Sequence, residues 1–248
     1  MLDIFLRDNE RIDDLEINNF KIIQNNDWFC FGMDSVLLSD FAKNIKDNSM
    51  VLDLGTGTGI ISILLCAKTK LSKVIGVDIQ DTVCEMAKRT INLNNLQDRF
   101  EVVCKDILDL KELYSKNTFD VIVTNPPYKM RNTGIENTNE QKLISRNEIS
   151  AGLDDFIKIS FDLLKDKGEF YMVHRPERLT DILYLMRKYR VEPKKIRFVF
   201  SNKNQKPKLV LIKGVKNAKS FLSIEPNLYI YDENGEYTDE ILEIYNKK

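Results

Sequence analysis

Cysteine is scarce and poorly placed for chemistry. The four, Cys30, Cys66, Cys84 and Cys104, are scattered through apolar stretches, and no pair has the short spacing of a zinc or redox motif. They are expected to be reduced core residues, so neither a metal nor a disulfide framework is implied. No run approaches the roughly 18 uncharged apolar residues of a membrane span. Met1-Leu2-Asp3-Ile4-Phe5 lacks the basic start and apolar run of a secretion signal. A cytoplasmic location, with no membrane partner, is therefore expected. Histidine occurs once, as His174 after the last apolar residue of a strand, where a structural role is favoured over catalysis. What is present suffices for a core. At 43% hydrophobic and 30% charged, 248 residues accommodate one large α/β domain with an appendage, or two small domains.

Net charge is −1, but it is unevenly spread. Arg187 to Lys219 holds twelve basic residues against one acid, Glu192. Such asymmetry fits a face adapted to a polyanion, and equally a set of solvated Lys-rich strands and turns.

Along the chain, residues 10–31 alternate weakly and predict short strands, with a hairpin closing at Asn25-Asn26-Asp27; Val36–Ala42 predicts a helix. From Met50 the pattern becomes alternating strand and helix. Strands are expected at Met50–Leu54, Val74–Val77, Phe100–Cys104, Phe119–Thr124, Phe170–His174, Ile196–Phe200 and Leu209–Ile212. Helices are expected at Ile60–Lys68, Thr82–Asn94, Leu108–Leu113, Phe156–Leu164 and Glu177–Tyr189, with Gly168 ending the fourth as a C′ residue. Near-continuous apolar strands in this order imply a mostly parallel sheet covered on both faces. The last two strands are joined through Ser201–Lys208, too short for a parallel crossover, so they should pair antiparallel. The longest polar stretch, Lys129–Ser150, predicts a functional or disordered loop.

The first chemical motif is Asp53-Leu54-Gly55-Thr56-Gly57-Thr58-Gly59, between a strand and a helix. Glycines there let the backbone turn sharply and approach a ligand that a Cβ would strike. Asp78, nineteen positions after Gly59, can accept both hydrogen bonds of a ribose diol. A dinucleotide loop would read G-x-G-x-x-G, to bring a helix N-terminus to a pyrophosphate. The spacing here is G-x-G-x-G, and Asp53 before the first glycine would repel phosphate. An acid at that point suits a cationic ligand such as the amino end of S-adenosyl-L-methionine. Asp106, after Phe100–Cys104, could accept from that ligand's adenine amine or merely cap the next helix. Ile79 and Ile107, beside the two acids, are assigned to the same pocket.

The second motif, Asn125-Pro126-Pro127-Tyr128, follows a strand about 70 residues beyond the glycine loop. Two prolines stiffen the backbone and leave its carbonyls free to accept. An sp² amine is a poor nucleophile because its lone pair is delocalised. The Asn125 side-chain oxygen and the Pro126 carbonyl could accept its two N–H bonds, draw it towards tetrahedral geometry and aim its lone pair at a donor methyl. Tyr128 can lie flat against a base. No dedicated general base is needed, so the lack of an obvious histidine base is no obstacle. Asn125, Pro126, Pro127 and Tyr128 are thus the candidate catalytic group.

These residues resemble the class I methyltransferases of the Asn-Pro-Pro-Tyr type across roughly Met50 to Ile212. A closer resemblance, over nearly the whole chain, is to bacterial tRNA(Val) adenine-N6 methyltransferases. It rests on Phe31-Gly32-Met33-Asp34-Ser35-Val36-Leu37-Leu38, Ser145-Arg146-Asn147-Glu148, Val173-His174-Arg175-Pro176-Glu177-Arg178-Leu179, Glu192-Pro193-Lys194-Lys195-Ile196-Arg197 and Glu236-Tyr237-Thr238. Two departures stand out. Ser145 and Asn147 replace the Ala and His expected there, and Tyr128 is followed by Lys129-Met130-Arg131 rather than by an aromatic.

The resemblance implies that Asp34, Asp53, Gly55, Thr56, Gly57, Gly59, Asp78, Asp106 and Asn125 hold or border the methyl donor. It also implies that an adenine beside the anticodon is splayed out to reach Asn125–Tyr128. RNA, and tRNA in particular, is the expected partner, contacted by Arg175, Arg178, Lys194, Lys195 and Arg197; Arg175 and Arg178 could equally pair with Glu177 or another acid. The expected fold is a Rossmann-like, doubly wound α/β sheet of seven strands, with one antiparallel strand near the C-terminal end. It divides into a β-rich extension with a helix (1–48), a methyltransferase domain (49–215) and a C-terminal extension (216–248). A monomer is the expectation, though no sequence feature decides it. Rival readings are glutamine methylation of a release factor, rRNA base methylation, and an idle RNA-binding scaffold. The release-factor enzymes carry a longer helical N-terminal domain, and a DNA methyltransferase would need a recognition insertion for which the chain has no room.

Overall fold

A computed structural model describes residues 6–27, 32–128 and 151–247. Trp28, Phe29, Cys30, Phe31, the 129–150 stretch and its Ser145–Glu148 motif lie outside the described residues.

The chain begins with a hairpin, β1 (Glu10–Asp14) against β2 (Lys21–Asn25), followed by α1 (Met33–Phe41). The βα alternation then runs β3 (Met50–Leu54), α2 (Ile60–Lys68), β4 (Lys73–Asp78), α3 (Asp81–Leu93), β5 (Phe100–Cys104), α4 (Leu110–Leu113), β6 (Phe119–Thr124) and α5 (Leu153–Leu163). It ends with β7 (Leu164–His174), α6 (Leu179–Lys188), β8 (Val191–Phe200) and β9 (Pro207–Lys216). Two-residue strands β10 (Ser223–Ile224) and β11 (Leu228–Tyr229), and α7 (Asp239–Ile244), complete it.

Seven strands form the body of the sheet in the order β8-β9-β7-β6-β3-β4-β5, and the two short strands both pair with the outer edge of β8. Every pairing is parallel except those of β9, which runs against both β7 and β8. The doubly wound sheet with one reversed strand is thus as expected, enlarged by β10 and β11.

Period-two alternation explains the two layers. In β6 and β7, Val121, Val123, Tyr171 and Val173 point towards α1, α2 and α3, whereas Ile122, Phe170 and Met172 point towards α5 and α6. The amphipathic α3 turns Val83, Met86, Ala87 and Ile91 inward. The chain leaves β3 for β4 and β5, then returns to β6 on the other side, so the crevice where strand order reverses lies between the carboxyl ends of β3 and β6.

Two local expectations need correction. The hairpin turns through Leu15–Phe20, where Glu16, Asn18 and Asn19 adopt left-handed backbone, and Leu15, Ile17 and Phe20 pack on the core. Asn25-Asn26-Asp27 instead closes the open end, the Asn26 N–H donating to the Asn9 carbonyl at 2.8 Å. Gly168 is not a helix C′ residue. Helix α5 passes directly into β7 at Leu164, and Gly168 sits in an irregular stretch of that strand. There a Cβ would meet the Lys165 carbonyl oxygen at 2.9 Å.

The α5–β7 junction is secured by an unexpected group. Lys216, buried at the end of β9, donates to the Phe161 carbonyl at 2.5 Å, the Leu164 carbonyl at 2.7 Å and Asn117 Oδ1 at 2.8 Å. Burial holds its ammonium below the usual lysine range. Lys216→Met, which keeps the stem but supplies no donor, should cost roughly 2–3 kcal/mol by leaving those acceptors unsatisfied. Urea unfolding at neutral pH checks this; an unchanged midpoint would show that water replaces the ammonium freely.

Candidate active site

The glycine loop is held open from several sides. Gly55, Gly57 and Gly59 all adopt positive φ. At Gly59, φ is 90° and a Cβ would lie 2.9 Å from the Phe100 ring, so glycine is required both for conformation and for helix–strand contact. The Gly55 and Thr56 N–H groups both donate to the Val77 carbonyl at 2.9 Å.

Asp53 is completely buried at the end of β3. Its Oδ2 accepts from the Thr56 hydroxyl at 2.7 Å and the Ser62 hydroxyl at 2.8 Å. Its Oδ1 is buried and has no partner among the described residues. Burial, opposed by those two hydroxyl bonds, pushes the carboxyl up to about 6. An orphaned buried carboxylate oxygen is costly. A cationic amine at that point would supply both the missing bond and the counter-charge, so the residues present fit a donor with an ammonium end.

Asp78, at the end of β4, accepts from the Gly57 N–H at 3.0 Å and the Gln80 N–H at 3.1 Å. Burial raises its carboxyl above the usual range. Beside it, the apolar Ile79 side chain is 43% exposed, a surface that a flat ring could cover. Asp106 accepts from the Leu108 N–H at 3.0 Å and so caps the short 3-10 turn Ile107–Asp109, in which Ile107 is buried.

Across the crevice, β6 ends with Thr124, whose hydroxyl donates to the Leu54 carbonyl at 2.9 Å and ties the two motif-bearing strands together. Asn125 Nδ2 donates to Ser35 Oγ at 3.3 Å. The Tyr128 hydroxyl donates to Asp34 Oδ2 at 2.9 Å. The first turn of α1 therefore braces both ends of the Asn-Pro-Pro-Tyr segment. Burial and the Asp34 charge raise the Tyr128 phenol far above its usual range, so it stays protonated. Its ring meets the His174 ring at 5.0 Å, and the Arg175 guanidinium lies over it at 5.1 Å. His174 is buried and accepts the Arg175 N–H on Nδ1 at 2.8 Å. Burial lowers it to about 4, which makes it a neutral packing partner of Tyr128.

Sequence reasoning missed three supports. Ser35 orients Asn125, and Ser62 shares Asp53 with Thr56. From the hairpin, Gln24 is buried and donates to the Thr58 hydroxyl in the glycine loop at 2.8 Å. Ser35 lies in a stretch singled out for resemblance, but nothing local marks its partner, ninety residues away.

The other basic candidates are spoken for. Arg178 pairs with Asp181 at 2.7 Å, Lys195 with Glu225 at 3.0 Å and Arg197 with Glu240 at 2.6 Å. Lys194 donates to the Lys219 carbonyl at 3.3 Å. Within the basic 187–219 segment, Lys195, Arg197 and Lys203 are paired with acids of the C-terminal extension. Arg175 has no carboxylate partner among the described residues and donates to the Lys208 carbonyl at 3.3 Å.

The glycine loop and the Asn-Pro-Pro-Tyr segment follow the neighbouring parallel strands β3 and β6, and residues 32–191 match the family model described as "Methyltransferase small domain". The chain belongs to that family. It is an S-adenosylmethionine-dependent methyltransferase. The chain is 27% identical, over 94% of its length and 93% of the relative's, to the tRNA1(Val) (adenine(37)-N6)-methyltransferase of Porphyromonas gingivalis. It is also 27% identical to the rRNA N(6)-adenosine-methyltransferase metl-5 of Caenorhabditis elegans, over 57% of this chain and 59% of that one. Among solved structures, M. jannaschii TYW2 in complex with AdoMet superposes with a TM-score of 0.58 at 14% identity, covering 85% of this methyltransferase and 87% of that chain. No helix among the described residues is long and apolar enough to cross a membrane, and no group of three or more potential metal ligands occurs among them.

Proposed function

We propose that this methyltransferase modifies the N6 amine of an adenine in RNA, with a tRNA nucleotide near the anticodon as its target. The observation that carries the reading is the Asn125–Tyr128 segment, braced by Asp34 and Ser35 and facing the glycine loop across one crevice. A relative matched along nearly its whole length is named for that reaction.

S-adenosylmethionine, when bound, supplies an electrophilic methyl on a sulfonium. Asp53 receives the donor's ammonium end, Asp78 its ribose, and Asp106 with Ile79 and Ile107 its adenine. Gly55, Thr56, Gly57 and Gly59 shape the loop around it. Ser35 occupies the Asn125 amide nitrogen, which leaves the amide oxygen to accept one N–H of the target amine; the Pro126 carbonyl accepts the other. Those two bonds pull the lone pair out of conjugation and aim it. Pro127 keeps the segment stiff. Tyr128, its hydroxyl fixed on Asp34, presents its ring to the splayed base. As the C–N bond forms and the methyl–sulfur bond breaks to leave a neutral thioether, the amine, made acidic by alkylation, gives its excess proton to water; the neutral His174 takes no part in that transfer.

Resemblance to the rRNA-modifying relative favours a second acceptor with the same chemistry. Labelled donor incubated with unmodified tRNA and, separately, with rRNA distinguishes them. Label in tRNA alone is expected. Label in rRNA alone would keep the reaction and overturn the acceptor, and label only in a protein such as a release factor would overturn both.

A further inference from the structure

The sheet's direction places a second feature beside the base pocket. Strands β7 and β8 both run against β9, so they are parallel to each other, and the hairpin connection after Phe200 lies on the same sheet edge as His174 and Asn125. His174 and Phe198 share the register of Val210. Lys195 shares that of Lys213 with Tyr171, three residues or about 10 Å towards the opposite edge.

At the carboxyl edge, an open depression is lined by Arg175, Glu177, Gln205, Lys206, Pro207 and Lys208. Arg175, Lys206 and Lys208 are all exposed. Neither lysine has an acid partner among the described residues, in contrast to Lys195, Arg197 and Lys203, each held by an acid of the C-terminal extension. Glu177 is the acid in the depression, so its lining carries a net positive charge. Arg175 joins this patch to the chemistry, because its guanidinium lies over the Tyr128 ring and its Nη1 donates to the Lys208 carbonyl.

We propose that Arg175, Lys206 and Lys208 form a phosphate clamp that grips the RNA backbone beside the target nucleotide, so that the strand crosses the tip of the β8–β9 hairpin rather than the Lys194–Lys195 end of β8. The clamp rests on the RNA reading above. Lysines act as point charges on phosphodiester oxygens, whereas Arg175 can bind one bidentately once it leaves the Tyr128 face to the incoming base.

The test uses the full chain and a fluorescently labelled, unmodified tRNA transcript, with affinity measured across a series of KCl concentrations. Donor affinity and melting temperature serve as controls for folding. The double variant Lys206→Ala/Lys208→Ala should weaken binding about tenfold and make the slope of log affinity against log salt shallower by about 1 to 2. Lys194→Ala/Lys195→Ala should leave affinity and slope near wild type. If the second double variant shows the loss and the first shows none, the clamp is wrong and the RNA reading stands. If the wild-type protein itself does not bind the transcript, both are wrong.

Discussion

Asn125→Ala should reduce the rate of methyl transfer by about 10²–10³-fold, the cost of removing one preorganised hydrogen-bonding group from a reacting centre. Asn125 stands at the end of β6, its nitrogen engaged by Ser35 at 3.3 Å, so its oxygen is aimed away from that bond and available to an amine. Alanine removes that acceptor without touching the glycine loop, Asp53 or Asp78. Donor affinity, measured by calorimetry with S-adenosylhomocysteine, should therefore stay near wild type. Asn125→Asp keeps an acceptor oxygen in place and should retain more activity than the alanine variant. Near-normal turnover in Asn125→Ala with donor binding intact would show that the amine needs no acceptor at this position.

Donor affinity should strengthen as pH rises through about 6, because that is where Asp53 loses its proton in the ligand-free fold. Burial favours its protonated form, so the folded chain holds a proton between the ordinary carboxyl range and about 6 that the unfolded chain has released. Through that window the residue's contribution to ligand-free stability falls as pH rises, while binding of an ammonium, which needs the carboxylate, gains. Asp78, also raised by burial, adds to the same trend. His174, lowered to about 4, titrates below the window. Asp53→Asn should weaken the donor about a hundredfold at neutral pH by leaving its ammonium without a buried counter-charge. The same variant should melt no lower than wild type without ligand, since it relieves the burial of an uncompensated charge. A donor affinity that is flat between acid and neutral pH would place the ammonium elsewhere.

The chemistry-bearing parts were legible because they are local. Strands β3, β5 and β6 and helix α2 are mostly apolar segments bounded by glycine, proline or polar residues, so their limits match the sequence reading. The hairpin turn was misplaced because Asn25-Asn26-Asp27 has turn composition, whereas the real turn contains Leu15, Ile17 and Phe20, which read as strand residues until the core they pack on is known. Gly168 looked like a helix stop because Lys165–Lys167 is polar; β-pairing to β6 took over directly at Leu164.

In the site, the two motifs were visible but the braces between them were not. Asp34 and Tyr128 are 94 residues apart, and Gln24 and Thr58 are 34 apart. The charge of the 187–219 segment was visible in the same way, while its neutralisation by Glu225, Glu233 and Glu240 depended on where the C-terminal extension docks. A count of basic residues therefore overstated how much of that surface faces a polyanion; Lys206 and Lys208, at the hairpin tip, are among the cations with no acid partner among the described residues.

Nucleoside analysis of the methylated product decides whether adenine N6 is the acceptor. Unmodified tRNA is incubated with the protein and isotopically labelled donor, digested to nucleosides and resolved by mass spectrometry against standards. N6-methyladenosine as the sole labelled nucleoside is the predicted result. Label on a ring nitrogen, on a ribose hydroxyl or on a pyrimidine carbon would contradict it, because none of those atoms offers the two N–H bonds that Asn125 and the Pro126 carbonyl are placed to accept.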